Sequence, residues 1–500
     1  MTSDHDVTAP RVAVLVFNDA GNDSRVLKES ASLAAQGYQV RIVAVERRKK
    51  DHPAGRTMLE DGRVLQRVPE FAFERILPGL APVWRRLVHS DAAAPVSPAG
   101  TPASPDPSAD GPQYPDTSLG TSTATETDAP ASPVPAPRRQ GLVARARSAA
   151  LGAVVDVGDR VYRTLSLGTY WFGATRAATT FAPDVVHAND GNTLVPALLI
   201  KAMSAGRTRI VYDSHELWRH RNVSADRLLA PLVEALSETL GIHAADAVIT
   251  VSGSIARWLQ TTYHLPSPPV LVRNVPAADD APDRSTGILR ERAGLTPQDK
   301  VIAYGGRITS SRGIEETIAA LPHLHDDVHF VLLGYGEPEA LGTVRAEARA
   351  HGVSDRVHLV GAVAPDQVSR ALADGDVAVV HVRPVCLSYE YALPNKLFES
   401  IRAGLPIAAA DLPDMREVVE QWGVGEVFRG ESPEDLASAL QDILDDPTEY
   451  QARARDAAPH LTWEHEADAL LGVYRQVLDG HHPATEGEGT AGPSSRGGAA

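Results

Sequence analysis

Apolar runs recur along the chain, and most lead into a polar turn and then a stretch of helical periodicity. Residues 11–17 (RVAVLVF) open the pattern. The polar turn 18–24 follows, where Asp23 or Ser24 can cap a helix carrying Val26, Leu27, Leu33 and Ala34, stopped by Gly37. Residues 39–45 (QVRIVAV) form the next strand. The runs are continuous and β-branched, as expected of parallel strands buried on both faces. Strand, helix, strand in this order predicts a parallel sheet. Further strands are expected at 62–68, 183–187, 209–212, 247–251 and 269–272, completing one doubly wound domain. The pattern restarts at 300–304 and continues at 328–333, 356–360, 376–380, 407–409 and 425–428.

Composition divides the chain. Residues 91–137 are rich in Pro, Ala, Ser and Thr and hold no Lys or Arg. Such a stretch buries too little apolar surface to offset its ordering entropy, so a disordered, dispensable insert is expected. Residues 274–286 read as a linker and 480–500 as a polar, Gly-rich tail. The predicted fold class is α/β, with two doubly wound, Rossmann-like domains facing across a cleft. The first spans 1–273 and the second 287–455, and helical residues 456–479 are expected to pack back on the first.

Charge and cysteine usage narrow the partners. A net charge of −16 argues against a nucleic-acid backbone. The single cysteine, Cys386, excludes internal disulfides and cysteine-rich metal sites. The start is polar and unlike a signal peptide, and no apolar run approaches the ~20 residues of a membrane span. A cytoplasmic protein is expected. Arg47-Arg48-Lys49-Lys50 reads as a solvated basic loop or an attraction for acidic lipid or a phosphorylated acceptor. Residues 71–89 mix aromatic and basic side chains, as an acceptor flap, a membrane-touching helix or ordinary packing would. Peripheral contact with the inner membrane face follows from the second of these. The first turn has only Gly21, so the dinucleotide fingerprint is missing and a nicotinamide dehydrogenase is disfavoured.

The densest chemistry lies in 381–406 (HVRPVCLSYEYALPNKLFESIRAGLP), which follows the strand 376–380. Loop, helix and strand follow in order, and in open α/β sheets ligands sit past such strand ends. Asn395 is expected to cap the helix, whose free amides can face an anion. Glu399, a turn in, can accept from two ribose hydroxyls or offset the helix dipole. Arg307 and Arg312, in the turn after 300–304, can clamp a diphosphate, and Gly305 and Gly306 permit close backbone approach. With Gly334 and Gly336, the set points to a nucleotide diphosphate.

These segments resemble glycosyltransferase family 4, the retaining sugar transferases of GT-B fold. GGRITSSRGIEETIAAL is similar to the family's phosphate-binding segment. LPNKLFESIRAGLPIA is similar to its P-N-K-L-F-E donor motif, and DVVHANDGNTLVPAL and VYDSHELW resemble acceptor-domain strands of a bacterial branch. The resemblance implies transfer of a sugar from a nucleotide-diphosphate sugar to a sugar, lipid-linked or small-molecule acceptor, with retention, in glycan, glycolipid or cell-surface polysaccharide synthesis. Arg307, Arg312, His215 and Glu399 would be catalytic. Gly305, Gly306, Gly334, Gly336, Leu393, Pro394, Asn395, Lys396 and Glu399 would hold the donor. Asn18, Asp19, Arg25, His187 and Asp190 would line the acceptor pocket. The first Glu of the family's E-x7-E pattern falls on Tyr391, and Glu390 or backbone amides near Leu393 can replace it. No cofactor or metal is implied beyond the nucleotide sugar as co-substrate. A GT-B nucleotide-sugar epimerase and a non-catalytic nucleotide-sugar-binding scaffold are the rival readings.

Overall fold

The computed structural model describes residues 9–21, 23–72, 142–222, 230–278, 282–429 and 432–479. The expected insert at 91–137 and tail at 480–500 lie outside the described residues, as does nearly all of 71–89. The chain forms two compact units, one of residues 1–70 with 167–500 and one of residues 71–166. The described part of the second unit is the front of the helix Leu142–Thr179, with Phe71 and Tyr162 in edge contact at 5.6 Å.

The first unit carries two sheets. The first contains β1 (Arg11–Leu15), β2 (Gln39–Val45), β3 (Gly55–Met58), β4 (Val64–Val68), β5 (Val185–Asn189), β6 (Arg209–Ser214), β7 (Ala247–Thr250) and β8 (Val270–Leu271). Its order is β3-β4-β2-β1-β5-β6-β7-β8, parallel apart from the β3–β4 pair. The second contains β9 (Lys300–Gly305), β10 (Val328–Leu333), β11 (Val357–Leu359), β12 (Val377–Val380), β13 (Ile407–Ala410) and β14 (Gly425–Phe428), ordered β11-β10-β9-β12-β13-β14 and wholly parallel. These are two doubly wound Rossmann-like lobes. The antiparallel β3 was not foreseen. All four of its residues are exposed, so burial left no apolar run to read.

The order in which strands are added reverses between β1 and β5 in the first sheet and between β9 and β12 in the second. Crossovers leave on opposite faces at such switch points, so the loops there part and open a crevice. The loops after β1, β5 and β6 carry Asn18, Asp190 and His215. Those after β9 and β12 carry Arg312 and the 381–394 segment.

The last helix, Trp463–Asp479, lies on the first lobe against the helix Ser24–Ala35. The Trp463 indole donates to Ser32 Oγ at 2.9 Å, and the Arg273 guanidinium donates to Glu466 at 2.8 Å. Tyr474, fully buried, meets His187 Nδ1 at 2.8 Å. Tyr474→Phe would leave that nitrogen buried without its partner, a loss of about 1–3 kcal/mol. A lowered urea midpoint is expected, and an unchanged one would show that this bond does not secure the helix.

Candidate functional site

The second lobe brings its loops together through missing side chains. Gly306 (φ 130°) and Gly313 (φ 77°) take up backbone that other residues avoid. A Cβ on Gly334 would stand 1.8 Å from the Gly306 carbonyl, and one on Gly313 would stand 2.2 Å from His381. The turn after β9 therefore lies directly against the turn after β10 and the start of the 381–394 segment. Arg312, half-buried there, stacks 5.3 Å over the Tyr389 ring. Arg307 is exposed, and its carbonyl accepts from the Tyr304 hydroxyl at 2.8 Å.

Lys396 is buried behind this turn. Its ammonium donates to the His381 carbonyl at 2.8 Å and the Arg312 carbonyl at 3.4 Å, and lies 4.8 Å over Tyr304. Among the described residues it has no ion pair. Burial, with Arg312 beside it, pulls Lys396 down to about 7. A desolvated ammonium fed by neutral carbonyls and crowded by a second cation favours an anion.

The helix Asn395–Arg402 begins at the same place. Asn395 is not its cap: Pro394 holds the cap position, and Asn395 is the exposed first helical residue. The extended backbone of Pro394 ends the loop without a side-chain bond. One turn on, half-buried Glu399 lines a cavity of about 750 Å³ with Asn395, Arg402, Gly21, Ser24 and Lys28. Burial pushes Glu399 up to about 7 against the pull of Lys28. Burial and Arg25 lower Lys28 to about 8, although Glu399 and Glu29 oppose them. Lys28 was missed in the sequence, where it is an unremarkable helical lysine. Glu390 ends the one-turn helix Leu387–Glu390 and is exposed. Its neighbours bond to the first lobe: Ser388 Oγ accepts from the Leu217 amide at 3.2 Å, and the Tyr391 carbonyl accepts from Ser252 Oγ at 3.0 Å. Leu393 is half-buried.

On the first lobe, two expected pocket residues turn inward. Arg25 is buried. It forks both oxygens of Asp213 at 2.8 Å, donates to the Val272 carbonyl and lies 3.0 Å from Glu29. His187 is fully buried, with Nε2 3.4 Å from Glu29 and 3.5 Å from Asp213. Neither forms a pocket wall, because the carboxylates that hold them lie under the loops. Glu29, His187 and Asp213 have the proximity of a metal-ligand set, but Arg25 already supplies the positive charge there. Asn18 and Asp19 brace their own turn, accepting from the amides of Ala20 and Gly21. Asp19 also pairs with Lys50 at 3.3 Å, which ties the basic loop to this turn.

Asp190 and His215 reach the crevice. Asp190 has φ 60° and ψ 167°, a strained backbone for a non-glycine residue. Its carboxylate accepts from the His215 amide at 3.2 Å. The His215 ring is one-fifth exposed, with Nε2 2.8 Å from Asp213. Burial pulls this ring down, but Asp190 and Asp213 outweigh it and raise it to about 10. Glu216 was missed, though it directly follows His215. Burial and Asp190 push it up to about 7, while Arg221, His215 and the other lobe's Arg312 pull it down.

Lys396 yields a direct test. At pH 8 it is largely neutral in the empty site, and a bound anion draws it back toward ~10.4. Inorganic pyrophosphate should therefore take up a proton on binding, and Lys396→Met should abolish that uptake. Calorimetry in two buffers of different ionisation enthalpy measures it. Binding with no proton uptake would mean that the anion does not meet Lys396.

Two family models match the chain, one on each lobe. Residues 286–461 match the family described as Glycosyl transferases group 1, and residues 133–275 match Glycosyltransferase Family 4. A D-inositol 3-phosphate glycosyltransferase of Xylanimonas cellulosilytica is 29% identical over 288 residues, covering 54% of this chain and 66% of the relative. Sucrose-phosphate synthase from Thermosynechococcus elongatus superposes with a TM-score of 0.63 at 14% identity, covering 94% of this chain and all of that one. Anabaena HepE, in complex with UDP-glucose, superposes with a TM-score of 0.55 at 13% identity, covering 94% and 99%. The two matched domains, the named glycosyltransferase relatives and the two-lobed architecture support a family 4-like glycosyltransferase of GT-B fold.

Proposed function

We propose that the protein moves a sugar from a nucleotide-diphosphate sugar to an acceptor hydroxyl with retention of anomeric configuration. The observation that carries the reading is the buried Lys396 beside Arg312, without an ion pair among the described residues and one helical turn from Glu399, which lines a cavity of about 750 Å³. Arg312, Lys396 and the first amides of the helix Asn395–Arg402 bind the diphosphate, with Arg307 at the rim. Glu399 accepts from the ribose hydroxyls. His215 meets the donor sugar from the other lobe, and Glu216 and Asp190 face the acceptor. As the sugar–phosphate bond breaks, charge grows on the leaving diphosphate, and Arg312 and Lys396 stabilise it. The leaving phosphate takes the acceptor's proton on the same face. The UDP-glucose bound by HepE supports a nucleotide-sugar donor. The acceptor is a sugar, lipid-linked or small molecule used in glycan, glycolipid or cell-surface polysaccharide synthesis. We place the reaction in the cytoplasm, where nucleotide sugars are made, at the membrane face when the acceptor is lipid-linked. Among the described residues no helix is long and apolar enough to cross a membrane.

Screening nucleotide diphosphates and their sugars by thermal shift identifies the donor, since a specific ligand raises apparent stability. Contacts that tighten toward the transition state act on turnover. Arg312→Ala should slow transfer by roughly 10²–10³-fold, with Arg312→Lys partly restored. Wild-type turnover in Arg312→Ala would remove the phosphate clamp from the reading. Glu399→Gln keeps the shape but weakens charge-assisted bonds, by about 1.5–3 kcal/mol. Nucleotide affinity should fall by roughly one to two decades, and unaltered affinity would return Glu399 to a helix-dipole role.

A further inference from the structure

His215 has an acid at each ring nitrogen. Asp213 Oδ2 lies 2.8 Å from Nε2, with Asn189 Oδ1 at 3.1 Å. Asp190 Oδ2 lies 3.5 Å from Nδ1. A neutral imidazole has one N–H and one bare lone pair, and an ionised carboxylate only accepts. With both acids ionised, either neutral tautomer would set a lone pair against a carboxylate lone pair; burial pushes Asp190 up, and the charge on His215 is what pulls it back toward the ionised form. Only the imidazolium offers a proton on both sides. We propose that His215 works as a permanent imidazolium, held by Asp213 and Asp190 as positioning residues. It then serves the cleft as a fixed positive charge and hydrogen-bond donor, never as a base.

The surrounding elements explain why the two acids cannot turn away. Arg25, on the helix Ser24–Ala35, forks both oxygens of Asp213 and fixes that carboxylate in its plane. The Asp213 oxygen shared with Nε2 of His215 is thus aimed by a group on another element. Asp190 is aimed by its backbone: the amide donates to the Asp213 carbonyl at 2.8 Å, and the strained φ directs the carboxylate to the His215 amide. The charged groups around the ring are Asp190 after β5, Asp213 and Glu216 along its own strand and turn, and Arg25 and Glu29 on the helix. Arg25 repels the ring's charge, and burial also disfavours it, yet the carboxylates prevail. Nε2–H is committed to Asp213. Nδ1–H, at its longer distance from Asp190, is the proton available to a donor-sugar oxygen. This role agrees with proton balance in the proposed reaction, because the departing phosphate takes the acceptor's proton and His215 keeps both of its own.

The rate consequence rests on the proposed transfer reaction, while the charge of the ring is measured without it. Histidine-labelled full-length protein, with His215→Gln to assign the signal, reports the ring by NMR. The wild-type ring should show both nitrogens protonated from pH 6 to about pH 9, far above the ordinary value near 6.5. Asp190→Asn preserves size and side-chain shape, so it meets the same backbone strain as the aspartate it replaces. It should bring the ring's titration below about pH 9 and give kcat/KM an alkaline limb that the wild type lacks. Asp213→Asn should shift both further in the same direction. If loss of the Arg25 fork unfolds it, Asp190→Asn alone decides. A wild-type ring that titrates near 6.5 overturns the proposal. So does an Asp190→Asn enzyme slowed by one factor at every pH, since that is the mark of a merely structural aspartate. If no transfer is found on any acceptor, the functional reading fails, and the NMR titration still accepts or rejects the fixed charge.

Discussion

The Arg25–Asp213 fork is the interaction on which the first lobe's active edge depends. It joins the first helix to β6, and the third guanidinium nitrogen reaches the Val272 carbonyl just past β8. Glu29 and His187 close around it, and Tyr474 of the last helix seals the far side. Buried ion pairs are weak evidence for stability, since desolvation offsets most of their attraction, but losing one partner strands a charge and costs about 3–5 kcal/mol. The fork therefore specifies an arrangement more than it stabilises one. What it specifies is where Asp213 points, and through Asp213 where the His215 ring sits.

The second lobe meets the opposite problem. Its chemistry needs positive charge with no partner, so that an anion can become the partner. Lys396 has no ion pair among the described residues and is oriented by two carbonyls, while burial lowers its charge until an anion restores it. The interlocked glycines make this geometry attainable, because any Cβ on Gly334 or Gly313 would push apart the turns that enclose the cations. The candidate donor site is thus assembled by close backbone approach, and the first lobe's candidate site by a closed charge network.

This contrast explains how much was legible in the sequence. Strands buried on both faces read directly as apolar runs, and their order gave two doubly wound lobes. The exposed edge strand β3 left no such signal. Gly305, Gly306, Arg307 and Arg312 share one turn and P-N-K-L-F-E is one short segment, so each part of the candidate donor site stands out as a local motif. The first lobe's network is assembled from residues far apart: Arg25 meets Asp213 across 188 positions, and His187 meets Tyr474 across 287. Nothing local in Arg25 or His187 distinguishes a buried clamp from a pocket wall, and both were read as walls. Asn395 was read as a cap from its residue type, but the preceding proline sets the helix start. Glu216 and Lys28 gained meaning only when the lobes set Arg312 and Glu399 nearby.

The two lobes also divide the electrostatic work across the cleft. On one side His215 is positive and already neutralised by Asp213 and Asp190, so an approaching diphosphate gains little from it as bulk charge. On the other side Arg312 is positive and Lys396 is ready to take up a proton, neither with an ion pair among the described residues, so on the proposed reading the attraction for the diphosphate is concentrated there. On the proposed reading a donor is oriented by the imbalance: its phosphates are drawn to the second lobe, and its sugar is left to face a ring whose charge is spent on neighbours but whose Nδ1–H remains directional. Had His215 been an unpaired cation, it would have competed with Lys396 for the phosphates and allowed a reversed pose. Pairing it with two aspartates preserves its donor proton while removing that competition, which is a physical reason for setting two carboxylates against this ring in a site proposed to bind an anion.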